Sequence, residues 1–298
     1  MSRTSVVICC HNQARFLAEA IRSVLEQGPA LGQLIVVNDG STDHTEAVVS
    51  QFASAIYVSQ PRSGLSLARN AGLAKVSERF VLFLDADDRL RPGALGGALE
   101  CMAQCPGFAF AYGGYCQVDE AGRLLSTHLA RQIKDGAIGL LRGNAIAMHG
   151  AVLYDTDIIR NFGGFDASLT ACEDFDVYLR LARRFPIHSL NTVMADYRQH
   201  SVSLSRRRFT MIATARRVIK RHANDWDDQD AADAAAKVGR RFMTHHFAGA
   251  LVRDLKSGRS IGSRRRSYAM LMLDALSHPT AAALAAAAMV RELLGSRS

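Results

Sequence analysis

Apolar residues fall in two alternating rhythms along the first hundred positions. Short unbroken runs, Ser5-Val6-Val7-Ile8-Cys9, Leu34-Ile35-Val36-Val37, Ile56-Tyr57-Val58 and Phe80-Val81-Leu82-Phe83-Leu84, predict buried strands. Between them apolar residues recur at helical spacing, as in Phe16, Leu17, Ala20, Ile21, Val24 and Leu25. Gly28-Pro29 should end that helix. Thr42 or Asp43 should cap a second one running through Val49 and Phe52. A third is expected over about 65–76, and Pro92 suits the first residue of a fourth. Such an order implies a mostly parallel sheet with helices on both faces, where ligands bind beyond the carboxyl ends of the strands. Three polar clusters fall at those ends: Cys10-His11-Asn12, Asn38-Asp39-Gly40 and Asp85-Ala86-Asp87-Asp88.

The rhythm changes after about residue 108. Phe108 to Val118 reads as a strand, Glu120-Ala121-Gly122 as a hairpin turn and Ala151 to Tyr154 as a further strand. Phe162-Gly163-Gly164-Phe165-Asp166 is a glycine-rich loop. Phe175, Leu179 and Ala182 mark one face of a helix over about 173–184. Short strands are expected at Ile187–Leu190 and Val193–Tyr197. Beyond Ser205 the pattern is helical and Ala- or Arg-rich, punctuated by Ser257-Gly258 and His278-Pro279.

Composition adds one asymmetry. The net charge is +8, yet residues 1–200 carry 18 Lys/Arg against 20 Asp/Glu and residues 201–298 carry 18 against 8. Arg206-Arg207-Arg208, Arg216-Arg217, Lys220-Arg221 and Arg264-Arg265-Arg266 supply most of the excess. A basic helical surface either adheres to anionic lipid or is simply solvated. Nucleic acid is not expected as a partner, because aromatic residues are sparse around these clusters. The six cysteines form no C-x-x-C pair and read as free thiols in a reducing cytoplasm. Met1 to Thr4 leads into the first strand without a signal-peptide pattern, and the longest apolar stretch, Ala281 to Val290, is about half a membrane span.

Candidate chemistry concentrates at the strand ends. Three carboxylates in four residues, Asp85, Asp87 and Asp88, repel one another, and a hard divalent cation would relieve that repulsion; a solvated acidic turn is the bland alternative. Asp39 could accept an N–H from a nucleotide base or only build a turn. Arg69 could face a diphosphate or form an ordinary salt bridge. Glu173-Asp174 opens a helix, where acids complement the dipole, and one of them could serve as a general base. His200 could bind metal or phosphate, although a lone His usually does neither.

Taken in order, these segments resemble the family 2 glycosyltransferases of the GT-A fold. The matching pieces are Ser5 to Asn12, Val37-Asn38-Asp39-Gly40-Ser41-Thr42-Asp43, Gly64 to Gly72 with Arg69-Asn70, Phe83-Leu84-Asp85-Ala86-Asp87-Asp88, Phe162 to Asp166, Glu173-Asp174 and Tyr197-Arg198-Gln199-His200 with Ser203. The resemblance implies an α/β fold of GT-A type, Rossmann-like, with a mostly parallel central sheet flanked by helices. It would occupy residues 1–205, with a nucleotide-binding half of about 1–105 and an acceptor-side half of about 106–205. A basic helical C-terminal region, 206–298, would follow. It further implies an inverting enzyme that moves a sugar from a UDP- or dTDP-linked donor to an acceptor hydroxyl, using Mn2+ or Mg2+. The acceptor would be a saccharide or a lipid-linked saccharide of cell-envelope, exopolysaccharide or glycolipid biosynthesis. The protein would be cytoplasmic, or peripheral on the inner face of the cytoplasmic membrane.

Roles follow residue by residue. Cys10, His11 and Asn12 would line the nucleotide pocket, Asp39 would recognise uracil or thymine, and Arg69 would approach the diphosphate. Asp85 would lie near the ribose or metal and Asp87 on the metal, with Asp88 in support. Asp174 would be the catalytic base with Glu173 beside it, and His200 a further metal or diphosphate contact. Cys9-Cys10 departs from the family, whose members commonly carry a proline and a small polar residue there. A nucleotidylyltransferase would need a Gly- and Arg-containing phosphate loop where Cys10-His11-Asn12-Gln13 stands, and a dehydrogenase a G-x-G-x-x-G. A catalytically inactive nucleotide-sugar-binding or scaffold protein of the same fold is the remaining alternative.

Overall fold

A computed structural model describes residues 2–200, 207–256 and 275–295. Arg206, Ser257-Gly258, Arg264-Arg265-Arg266, Ser203 and Ser205 lie outside the described residues. The chain divides into two compact units, one of residues 1–136 and 145–199, the other of 137–144 and 200–298.

The first unit holds a sheet of nine strands: β1 (Thr4–Cys10), β2 (Leu31–Asp39), β3 (Ala55–Gln60), β4 (Phe80–Asp85), β5 (Arg89–Leu90), β6 (Phe110–Val118), β7 (Leu124–His128), β8 (Val152–Asp155) and β9 (Ile187–Arg198). Their order is β3-β2-β1-β4-β8-β6-β9-β5, with β7 on β6. The first four strands pair in parallel; β8 enters antiparallel to both β4 and β6, so β6 again runs with β4. All seven residues of β1 are buried, as expected of a central strand covered on both faces. Its helices are α1 (Ala14–Leu25), α2 (Thr45–Val49), α3 (Leu65–Leu73), α4 (Ala94–Gln104), α6 (Thr156–Asn161) and α7 (Glu173–Ala182), while all but the first residue of α5 (Gly136–Leu141) belongs to the second unit. On α1 the apolar stripe Phe16, Leu17, Ala20, Ile21 and Val24 is buried as its spacing requires.

Several boundaries differ from the sequence pattern, each for a local reason. The two short strands expected near residues 187–197 are one continuous strand, β9, whose exposed Asn191 and Thr192 lie opposite an irregular stretch of β6 at Gly113-Gly114. Pro92 precedes α4 rather than starting it, because Gly93 takes a left-handed turn (φ 75°) first. The second helix ends at Val49, and α3 stops at Leu73.

Helix α3 lies close on the sheet because Gly72 carries no side chain: a Cβ there would stand 2.3 Å from Val7 Cγ1 and 3.2 Å from Val37 Cγ2. That approach fixes the height of α3 over β1 and β2.

The second unit contains α8 (Arg208–Ala223), α9 (Gln229–Lys256) and α10 (Pro279–Gly295), which pack on one another. The 137–144 segment joins them, with Gly143 against the Phe242 ring of α9. Among the described residues no helix is long and apolar enough to cross a membrane.

Because Val7 is a buried β-branched side chain with nowhere to move, Gly72→Val should overpack the α3 interface and cost about 2–3 kcal/mol. Urea unfolding would report it as a lowered midpoint at unchanged slope; an unchanged midpoint would contradict the close approach.

Candidate active site

The carboxyl ends of β1 and β2 are stitched into one platform. Asn12, in a left-handed conformation (φ 54°), accepts the Thr42 N–H through Oδ1 (2.8 Å) and donates its own N–H to Ser41 Oγ (3.0 Å). His11 Nδ1 meets the Asp39 carbonyl at 2.8 Å and its Nε2 meets Asn12 Nδ2 at 3.2 Å. Asp43 accepts N–H groups from Ala14 at the start of α1 and Thr45 at the start of α2, which satisfies orphan donors on both helices.

Asp39 is buried and heavily used. Its Oδ1 accepts from Gln60 Nε2 and the Ser63 N–H, both at 2.8 Å, and its Oδ2 accepts the Gly64 N–H at 2.9 Å. Three of about four acceptor positions on the carboxylate are therefore filled, leaving one on Oδ2. Cys10, expected in the nucleotide pocket, is instead a core residue packed toward α1 and α2, its Sγ 3.5 Å from Thr45 Oγ1. Strand alternation explains the difference: Cys9, one position earlier, points the other way and lies in the electrostatic neighbourhood of Arg69, Asp85 and Asp39. Burial pushes the Cys9 thiol far up, so it stays a neutral, compact wall.

Beyond β4 the chain turns tightly, with the Asp88 N–H on the Asp85 carbonyl at 3.0 Å. Arg198, at the end of β9, holds this turn from below. Its Nε donates to the Asp87 carbonyl and its backbone N–H to Asp88 Oδ1, both at 2.8 Å. Its Nη2 reaches Glu19 of α1 at 2.6 Å, and the guanidinium lies 4.9 Å over the Phe16 ring. The sequence pattern alone assigns Arg198 no task. Its Tyr-Arg-Gln-His setting was the available signal. Burial and the neighbouring Asp87 and Asp85 carboxylates push the Asp88 carboxyl well above the usual carboxylate range.

Helix α3 presents Ser66, Arg69 and Asn70 on one face, as their three- and four-residue spacing dictates. All three reach the segment that leads into α7. Ser66 Oγ donates to the Leu169 carbonyl at 3.1 Å, and Asn70 both donates to the Phe165 carbonyl and accepts its N–H at 2.8 Å. Arg69, with 2% of its side chain exposed, donates from Nη1 to Glu173 Oε1 at 2.5 Å and from Nη2 to Asp85 Oδ1 at 2.8 Å. Phe165 covers its face at 5.5 Å. The guanidinium expected to approach a diphosphate is thus occupied at both ends by carboxylates.

Cys172 precedes α7 in a left-handed conformation (φ 57°), an uncommon state for a residue with a Cβ, which bends the chain at the helix start. Arg180, on the same helix, donates to the Phe162 carbonyl (2.5 Å) and to that of Gly164, and to Asp176 at 2.8 Å, which fixes α7 against the glycine-rich loop. Glu173 is buried and bonded to Arg69. Asp174 is half-buried and accepts the Phe175 N–H at 2.7 Å. Burial, and then the negative charge of Glu173, raise its carboxyl to about 7 against the opposing pull of Arg69. A carboxyl near neutrality is suited to general-base work. His200 is buried and belongs to the second unit.

The donor set at the β4 end consists of hard oxygens and fits a Mg2+- or Mn2+-type ion. Among the described residues no three of these carboxylates bring oxygens within 4.8 Å of one another. Ions of that type commonly take one or two protein carboxylates and complete their shell with water and substrate phosphate.

Comparison with known proteins agrees with this architecture. The family model for glycosyl transferase family 2 matches residues 5–162. An uncharacterized glycosyltransferase of Rickettsia conorii is 28% identical over 208 residues, covering 66% of this chain and 34% of its own. The chain spans about a third of the length of the first curated relatives it matches. Among solved structures, S. aureus TarS 1–349 superposes with a TM-score of 0.65 at 16% identity, covering 98% of this chain and 92% of its own. The mannosyltransferase PcManGT of Pyrobaculum calidifontis, solved with GDP-Man and Mn2+, gives 0.64 at 19% identity over 98% of this chain and 87% of its own. These likenesses establish a GT-A-type fold.

Replacing Arg69 by Met would leave Glu173 buried and unpaired, and should cost about 3–5 kcal/mol. The double variant Arg69→Met/Glu173→Gln should recover a substantial part of that loss in urea unfolding. Strict additivity of the two substitutions would show that the pair is not coupled.

Proposed function

The chain belongs to glycosyl transferase family 2, and on that premise we propose that it is an inverting glycosyltransferase carrying a sugar from a UDP- or dTDP-linked donor to an acceptor hydroxyl. The observation that carries the reading is the Asp85–Arg69–Glu173 chain of ion pairs, which ties the acidic turn after β4 to the start of α7, where Asp174 stands.

In this reading the remaining acceptor position on Asp39 Oδ2 takes an N–H of the base. Asp87, with Asp85, holds the divalent cation, which when bound supplies positive charge against the departing diphosphate. Asp174 takes the proton of the acceptor hydroxyl as its oxygen bonds to the anomeric carbon. The bond from that carbon to the diphosphate oxygen breaks on the opposite side, and the diphosphate leaves with the electron pair. Glu173 keeps Asp174 basic and Arg69 keeps Glu173 in place. Support for the metal and donor comes from the acidic turn itself and from PcManGT, which holds GDP-Man with Mn2+.

The second unit favours an anionic acceptor carrier. Helices α8 and α9 border a cleft of about 530 Å³ lined by Arg216, Arg217, Lys220, Asn224, Asp233 and Arg240. Burial and the adjacent Arg240 charge push the Arg216 guanidinium down, so an incoming anion would relieve that repulsion. A lipid-linked saccharide of cell-envelope synthesis, presented at an anionic membrane surface, has the chemistry this cleft would accept.

Asp87→Ala and Asp174→Asn should each lower transfer at least about a hundredfold (about 3 kcal/mol). The first should also abolish Mn2+-dependent binding of uridine diphosphate in calorimetry while the second preserves it. Near-normal transfer by either variant would refute its assigned role. Since Asp174 acts as a base only when ionised, kcat/KM should fall as pH drops below about 7. A profile that stays flat down to the ordinary carboxylate range would contradict that. Sedimentation with vesicles containing anionic phospholipid should be salt-sensitive and should weaken by about 1 kcal/mol per residue in Arg216→Gln and Arg217→Gln. Absence of binding by the parent protein would remove the membrane reading.

A further inference from the structure

At the end of the sheet opposite the carboxylates, three soft-metal ligands meet. Cys101 and Cys105 stand one helical turn apart at the end of α4, and His188 lies near the start of β9, the strand against which α4 packs. The two Sγ atoms and an imidazole nitrogen all lie within 4.8 Å of one another. Strand direction separates this cluster from the proposed transfer site. Ile187 pairs with Phe110 at the start of β6, Phe110 with Tyr154 at the end of β8, and the neighbouring Asp155 with Phe80 at the start of β4. Asp85 closes the other end of β4.

We propose that Cys101, Cys105 and His188 form a binding site for a thiophilic divalent cation of the Zn2+ type. Two thiolates and one imidazole are a ligand set that tetrahedral zinc takes, with a fourth position left to water. The cysteines are only partly buried, so the ion has access, whereas the other four cysteines are buried. Phe108 packs edge-on to the His188 ring with centroids 6.0 Å apart and restrains its orientation. Burial and the Cys105 thiol beside it raise the Cys101 thiol to about 11. Ligation as thiolates releases thiol protons, and apparent affinity therefore rises with pH. Bound there, the ion links the C-terminus of α4 to β9 at a point that serves no step of sugar transfer.

Titration of the reduced full-length protein with Co2+, followed by competition with Zn2+, tests this. The parent protein should develop a thiolate-to-cobalt charge-transfer band that saturates at about one equivalent and is erased by Zn2+. Asp87→Ala, which lacks the proposed catalytic carboxylate, should behave identically. The band should vanish in Cys101→Ser/Cys105→Ser and weaken with a lower apparent affinity in His188→Ala. Circular dichroism confirms that these variants are folded, and the single variant Cys105→Ser, at the helix end, serves where the double variant is not. No thiolate band in the parent protein, or an undiminished band in the folded cysteine variants, would overturn the proposal. So would loss of the band in Asp87→Ala.

Discussion

A guanidinium buried beneath two carboxylates organises the first unit. Arg69 has almost no exposure, and a buried cation persists in a fold only when paired. Its partners come from distant parts of the chain: Asp85 ends a central strand and Glu173 begins a helix nearly ninety positions later. The pairing thus requires that α3, β4 and α7 occupy fixed places together. Gly72 allows α3 close enough to the sheet for Arg69 to reach. Ser66 and Asn70, on the same helical face, hold the intervening segment in position.

Two further arginines extend the arrangement. Arg198 secures the acidic turn through the Asp87 carbonyl and the Asp88 carboxylate, and Arg180 secures α7 through two carbonyls of the glycine-rich loop. Each acid in the cluster therefore has a distinct condition. Asp88 is buried, bonded to the Arg198 N–H and raised well above the usual range; Glu173 is buried against Arg69; Asp174 is half-buried and raised to about 7. Sugar transfer as proposed needs one base poised near neutrality beside an acidic turn. Here the difference in role comes from burial and partner, since the side-chain chemistry is the same.

Much of this was legible in the sequence. Unbroken apolar runs located β1 to β4, and the acidic and amide residues after them located the candidate site. What the pattern could not carry was direction. Cys9 and Cys10 are identical in composition terms, and only the pleat decides that Cys9 neighbours Arg69 while Cys10 enters the core. Arg69 by itself read more readily as a salt-bridging residue than as a phosphate ligand, but its partners, 16 and 104 positions away, could not be named from the pattern. Arg198 stood in a quoted motif, yet its task depends on β9 being one strand that ends beside the β4 turn. The Asn191-Thr192 interruption hid that continuity. Cys101 and Cys105 matched no familiar metal spacing, and the third ligand arrives on another strand.

Arg69 is a fixed internal clamp, and in the proposed reading the diphosphate is met by the cation and not by this guanidinium. A crystal structure with uridine diphosphate and Mn2+ examines this directly. The account predicts the ion on Asp87, with Arg69 still bonded to Asp85 and Glu173. An Arg69 side chain swung out of its ion pairs onto the diphosphate would contradict it.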